Sequence, residues 1–89
     1  MTLIQLVEDD PDLQVTTRLV LERFGYDVVV AGDGEQALAM VTSHAPDLLL
    51  VDVMMPRMDG ITMVRRLRQH DSTPVIMVTA RDLPYDQIA

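Results

Sequence analysis

The fold is decided by residues 48–60, which read LLLVDVMMPRMDG. The four consecutive aliphatic residues at 48–51 are typical of a parallel strand that helices cover on both faces. This strand ends directly at Asp52, and the loop that follows contains Pro56 and runs to Asp59 and Gly60. The segment therefore predicts a buried strand with a carboxylate at its carboxyl end and a helix shortly after it.

Three further aliphatic runs, at residues 3–7, 28–31 and 75–78, predict three more strands. The first of these strands runs into Glu8 and Asp9, and the last is expected to end at Thr79.

Helical segments separate these strands, and each has a recognisable beginning. Asp10, Asp33 and Asp59 are expected to cap helix N-termini, with Pro11 at the first helical position and Gly25 ending the first helix. Alternation of strand and helix predicts an α/β fold: an open parallel sheet with helices on both faces. Apolar residues at helical spacing are expected to face the sheet: Leu13, Val20, Leu21 and Phe24, then Ala37, Leu38 and Val41, then Ile61, Val64 and Leu67.

Composition narrows the classes of function. With 89 residues, the chain is long enough for one small domain. It contains no cysteine, which excludes disulfides, thiol catalysis and zinc–thiolate sites. A net charge of −7 makes direct binding of nucleic acid by this segment unexpected. No apolar run approaches the roughly 20 residues that span a bilayer, so we expect no membrane segment and a cytoplasmic location.

Polar side chains follow three of the four predicted strands: Glu8 with Asp9, Asp52, and Thr79. In open parallel sheets, ligands bind outside the carboxyl ends of the strands. Clustered carboxylates repel one another, so some must become protonated or recruit a cation, and oxygen ligands without His or Cys suit Mg²⁺, Ca²⁺ or Mn²⁺. Glu8 and Asp9 taken alone could equally be capping or solvated residues, but the three strand ends together favour a site.

Three segments of the chain resemble the receiver domains of response regulators: residues 6–10 (LVEDD), residues 48–60, and residues 74–81 (PVIMVTAR). The resemblance runs in order along essentially the whole chain. It implies a flavodoxin-like fold and a phosphoryl group that a sensor histidine kinase transfers to an aspartate with the help of Mg²⁺.

The resemblance also implies a role for each matching residue. Asp52 would be the phosphoacceptor and a metal ligand. Asp9 would bind Mg²⁺ directly, Glu8 would act through water or by shaping the site, and Met54 would offer its backbone carbonyl. The remaining matches are Thr79, expected to contact the phosphoryl group and switch position on activation, and Ala80, whose small side chain leaves room for that group.

The chain also departs from the family pattern. That pattern has five strands and five helices, with a lysine after the fifth strand, whereas this sequence contains no lysine. Residues 1–89 are therefore expected to form a receiver domain that lacks its C-terminal strand and helices, with about four strands and three helices. Mg²⁺ binding should survive, whereas phosphorylation should be slower. An exposed fourth strand is expected to favour self-association or domain swapping.

Other functions remain open beside the phosphoacceptor. The missing lysine favours a pseudo-receiver, a module for protein binding or dimerisation. A phosphohydrolase with an aspartyl nucleophile would resemble its relatives in a second Asp two positions after the first, but Met54 stands there. The local sequence resembles receivers that precede a winged-helix DNA-binding domain, which implies a transcriptional output domain as partner.

Overall fold

The computed structural model describes residues 1–78. In this part of the chain four strands alternate with three helices. Their order is β1 (Leu3–Val7), α1 (Pro11–Arg23), β2 (Asp27–Ala31), α2 (Gly34–His44), β3 (Leu48–Asp52), α3 (Gly60–Leu67) and β4 (Val75–Val78). All strand pairs are parallel and the sheet order is β2-β1-β3-β4. The predicted open parallel α/β sheet of flavodoxin-like type is confirmed.

One hydrophobic core lies between the sheet and helices α2 and α3. In β1 and β3, which are paired, alternate residues face these helices because successive side chains of a strand point to opposite faces. Burying one such aliphatic side chain is worth about 1.5–3 kcal/mol, so this layer holds α2 and α3 in place. The residues that contribute to it without any exposed surface are Val7, Ala31, Ala37, Leu49, Val51, Met63 and Leu67.

The three predicted helix caps are confirmed. The side chains of Asp10, Asp33 and Asp59 each accept a hydrogen bond from a backbone N–H in the first turn of the following helix. Helix α1 ends at a C-cap on Phe24, and Gly25 then adopts φ +91, a left-handed conformation that costs glycine little. Each cap sets the residue at which a loop at the carboxyl edge of the sheet ends and the following helix begins.

The prediction of the apolar helix faces was partly wrong. In α3, Ile61 is 47% exposed, whereas Met63 and Leu67 are fully buried. At 3.6 residues per turn, Ile61 lies about 120° around the helix from Leu67, while Met63 lies close to the same line. Helix α1 has no buried residue, and its C-cap Phe24 is 77% exposed. Among the described residues, α1 alone covers its face of the sheet.

Strand β4 forms one edge of the described sheet and pairs with β3. Its residues Ile76, Met77 and Val78 are 51%, 38% and 42% exposed. Ile76 also lines an apolar groove on the α1 face of the sheet, together with Ile4 and Leu50. Within residues 1–78, the structure contains no helix that is both long and apolar enough to cross a membrane.

Candidate functional site

Strand pairing brings the acidic residues together. β1 and β3 are neighbours in the sheet, and Val7 is aligned with Val51, so the next residues, Glu8 and Asp52, emerge side by side. Asp9 follows Glu8 in the loop before α1. One carboxylate oxygen from each of Glu8, Asp9 and Asp52 lies within 4.8 Å of the others. The predicted acidic cluster at the carboxyl edge is therefore present.

Asp52 is almost completely buried, with 1% of its surface exposed. Its two oxygens have different surroundings. Oδ1 accepts a hydrogen bond from the backbone N–H of Met54 at 2.9 Å, whereas Oδ2 is buried without a hydrogen-bond partner among the described residues. A buried carboxylate oxygen that lacks a partner is costly, which is a reason to expect a ligand there.

Glu8 is also buried, with 5% of its surface exposed. Burial raises the pKa of the Glu8 carboxyl to about 7. The backbone N–H of Asp10, 3.1 Å from Glu8 Oε2, opposes this increase, whereas the negative charge of Asp52 and the neighbouring carboxyl groups of Asp52 and Asp9 add to it. The cluster therefore resists being fully ionised unless a positive charge enters it.

The donor set fits a hard divalent cation. Glu8, Asp9 and Asp52 offer only carboxylate oxygens, which are the ligands of Mg²⁺, Ca²⁺ and Mn²⁺. Oδ2 of Asp52 is already shielded from solvent, so such an ion, or a phosphoryl group beside it, would meet a desolvated oxygen. Asp9 and Met54 line an open depression just outside the strand ends, so an incoming molecule can reach the cluster from solvent.

The loop after β3 packs tightly against the strand end. A Cβ atom on Gly60 would lie 2.7 Å from the backbone oxygen of Asp52 and 3.0 Å from the Cα of Val53. Only glycine fits this close approach of two backbones. Gly60 therefore sets how closely the start of α3 packs against the backbone of Asp52 and Val53.

Two of the expected site residues have no described position, and the sequence did not predict two contacts near the site. Thr79 and Ala80 lie outside the described residues. The missed contacts are a hydrogen bond from Gln14 to the backbone of Glu8 and an ion pair at 3.6 Å between Arg57 and Asp33. Neither contact leaves a pattern in the sequence, since both join residues that only the tertiary fold brings together.

A parallel sheet with this strand order and a carboxylate cluster at its carboxyl edge defines the class of protein. Residues 4–88 match the model of the response regulator receiver domain, and the chain belongs to this family. Receiver domains are signalling domains, and the relatives of this chain are transcriptional response regulators of two-component systems.

Individual relatives agree with this assignment. The chain is 48% identical over 88 residues to the transcriptional regulatory protein CpxR of Escherichia coli, covering 99% of this chain and 38% of CpxR. It is 41% identical over 86 residues to the alkaline phosphatase synthesis transcriptional regulatory protein PhoP of Bacillus subtilis, covering 96% of this chain and 36% of PhoP. The chain thus spans little more than a third of these relatives.

Solved structures show the same fold. The BeF3-activated N-terminal receiver domain of Klebsiella pneumoniae RstA superimposes with a TM-score of 0.85 at 34% identity, covering 98% of this chain and 74% of that one. The receiver domain of the Francisella response regulator 1452 gives a TM-score of 0.85 at 32% identity, covering 99% and 74%.

Proposed function

We propose that this chain accepts a phosphoryl group on Asp52 in a Mg²⁺-dependent reaction. The observation that carries the proposal is the buried Oδ2 of Asp52, which has no hydrogen-bond partner among residues 1–78 and lies beside two further carboxylates. In this reaction, a lone pair of Oδ2 forms the new bond to phosphorus, and the bond between phosphorus and the donor's leaving group breaks. Oδ1 stays oriented because Met54 N–H donates to it.

The metal ligands proposed are Asp9 and Asp52 directly, Glu8 through water or by shaping the site, and the backbone carbonyl of Met54. The close approach of the three carboxylates supports this set. When bound, Mg²⁺ supplies positive charge that offsets the repulsion between the carboxylates and the phosphoryl oxygens. Thr79 and Ala80 are proposed, on the family resemblance alone, to contact the phosphoryl group and to leave room for it.

The proposed partners follow from the family. A sensor histidine kinase would be the phosphoryl donor, and a DNA-binding output domain would receive the signal, since the relatives named above are transcriptional regulators. Residues 1–89 would serve as the receiver part of such a regulator, working in the cytoplasm without turning over a substrate. The net charge of −7 supports an output domain separate from this segment, because acidic surfaces repel phosphate backbones.

A second candidate function is a pseudo-receiver that binds proteins without efficient phosphorylation. The observation that favours it is the apolar surface of β4, where Ile76, Met77 and Val78 are each more than a third exposed. Both candidates use the same fold, and they differ in whether Asp52 reacts.

Intact-mass spectrometry separates these two functions. The chain is incubated with Mg²⁺ and acetyl phosphate, in parallel with Asp52→Asn and with Asp12→Asn, which alters an exposed helix residue instead. The phosphoacceptor predicts the mass of one added phosphoryl group in the wild type and in Asp12→Asn. The adduct should be absent from Asp52→Asn and in EDTA. A folded wild-type chain that binds Mg²⁺ but gains no mass would favour the pseudo-receiver.

We also propose that residues 1–89 self-associate through β4. The support is an edge strand whose residues Ile76, Met77 and Val78 are all more than a third exposed, since such edges pair with other chains. Light scattering over a wide concentration range should show a molar mass that rises with concentration. Ile76→Lys should abolish the rise, whereas Ile61→Lys, at a similarly exposed position on α3, should not. A monomer at every concentration would contradict the proposal.

A further inference from the structure

Gln14 connects helix α1 to the loop that carries two of the clustered carboxylates. It occupies the fourth helical position after the Asp10 cap. Side chains of a helix slope toward its N-terminus, and here the slope brings Nε2 of Gln14 to 2.6 Å from the backbone oxygen of Glu8. That oxygen belongs to the peptide group between Glu8 and Asp9.

The backbone around Glu8 is therefore held from two sides. The Glu8 N–H donates to the carbonyl of Ala31 at 3.0 Å, which ties the preceding peptide group to β2. The Gln14 amide ties the following peptide group to α1. Because β1 ends at Val7, the Glu8 carbonyl lies beyond the strand, where the loop could otherwise rotate and turn Asp9 away from Asp52.

We propose that Gln14 is a positioning residue for the divalent-cation site, acting through the Glu8–Asp9 peptide group. The inference rests on the proposed function, since it takes the carboxylate cluster to bind Mg²⁺. Gln14 does not touch the ion. It keeps Glu8 and Asp9 in the orientation that lets their carboxylates meet Asp52, so that less reorganisation accompanies metal binding.

The chain offers a matched control in Gln36. Its side-chain oxygen accepts a hydrogen bond from the backbone N–H of Gly32 at 2.7 Å, which ties α2 to the loop after β2. Gln36 is the same residue type and also joins a helix to the preceding loop, although its side chain accepts the hydrogen bond whereas that of Gln14 donates one. The loop after β2 carries none of Glu8, Asp9 and Asp52, so Gln36→Met removes a similar hydrogen bond between helix and loop without touching the loop that carries Glu8 and Asp9.

The experiment measures Mg²⁺ affinity by isothermal titration calorimetry for the wild type, Gln14→Met, Gln14→Glu and Gln36→Met. Methionine keeps the length and helix propensity of glutamine but cannot donate, so the fold should tolerate it. We expect Gln14→Met to bind Mg²⁺ about five-fold more weakly, as for the loss of one ordinary hydrogen bond. Gln36→Met should bind as the wild type does, even if both variants unfold at slightly lower urea concentrations.

Gln14→Glu is the variant that separates an electrostatic effect from loss of the hydrogen-bond donor. It places an additional negative charge beside the site, so electrostatics alone predicts tighter Mg²⁺ binding, whereas loss of the donor predicts weaker binding. Weaker binding by both Gln14 variants, with Gln36→Met unchanged, supports the positioning role. Unchanged affinity in Gln14→Met, tighter binding in Gln14→Glu, or an equal loss in Gln36→Met overturns it. A folded wild type without Mg²⁺ affinity overturns the proposed function as well.

Discussion

Glu8 should lower the stability of the metal-free chain as pH rises from 4.5 to about 7. Burial, with the Asp52 charge adding to it, raises the pKa of Glu8 from its ordinary value of 4.5 to about 7. The folded chain therefore retains a proton that the unfolded chain has already released. This contribution of Glu8 to the free energy of unfolding is fully present below pH 4.5 and is progressively lost as pH rises to about 7.

The magnitude follows from the difference between these two pKa values. At about 1.4 kcal/mol for each pH unit, the loss amounts to at most about 3.5 kcal/mol. This is a large fraction of the 5–15 kcal/mol that roughly describes the stability of a small domain. Glu8→Gln should remove the pH-dependent part, because glutamine stays neutral and its side-chain oxygen can still accept from Asp10 N–H, as Glu8 Oε2 does at 3.1 Å.

Urea denaturation followed by circular dichroism suits this test, because the chain contains no tryptophan for fluorescence. The wild type and Glu8→Gln are compared in EDTA from pH 4.5 to pH 8, and the difference in their free energies of unfolding is plotted against pH. The free energy of unfolding of Glu8→Gln should increase relative to that of the wild type as pH rises. Mg²⁺ should stabilise the wild type most at the highest pH of the series. A difference that stays constant across this range, or that moves in favour of the wild type, would refute the reasoning.

Two further predictions concern residues that support the site. Gln5 is fully buried, and its Nε2 donates to the Ala37 carbonyl at 2.9 Å while its Oε1 lacks a partner among the described residues. Removing the buried Oε1 should outweigh the loss of that hydrogen bond, so Gln5→Leu should raise the free energy of unfolding by about 1 kcal/mol in urea titrations. A clear loss of stability would show that its amide is needed. Gly60→Ala forces a Cβ against the Asp52 backbone, so phosphorylation by acetyl phosphate should slow and stability should drop by roughly 1–3 kcal/mol. Gly34→Ala, which meets only a flexible side chain, should be milder in both assays.

The strands and helix beginnings could be predicted because their causes are local. The aliphatic run before Asp52 and the caps at Asp10, Asp33 and Asp59 each act within a few residues of chain. Predicting the acidic cluster takes one further inference, which is that parallel strands alternating with helices must align their carboxyl ends at one edge of the sheet. This rule places Glu8 and Asp52 at the same edge of the sheet, whereas their being neighbours follows from the pairing of β1 with β3, which the sequence did not predict.

Features that depend on packing between distant elements could not be predicted in the same way. Burial of Met63 rather than Ile61 depends on how α3 is rotated against α2 and the sheet, and spacing along the sequence does not fix that rotation. The positive φ of 65 at Arg57 is another case, because local sequence offers no glycine there. The hydrogen bond of Gln14 to Glu8 likewise needs the helix to be already in place.

The contrast between Asp59 and Glu8 distinguishes a capping carboxylate from a site carboxylate. Asp59 is exposed, and hydrogen bonds from Thr62 hold its pKa below the ordinary value, so its charge stabilises the fold. Glu8 is buried and its pKa is raised, so ionising it opposes folding. Asp52 is buried as well, with an oxygen that lacks a partner in the described chain. If these two residues served stability, apolar side chains would serve better at such depth. Their placement is instead what a site requires when it is completed by a cation and a phosphoryl group.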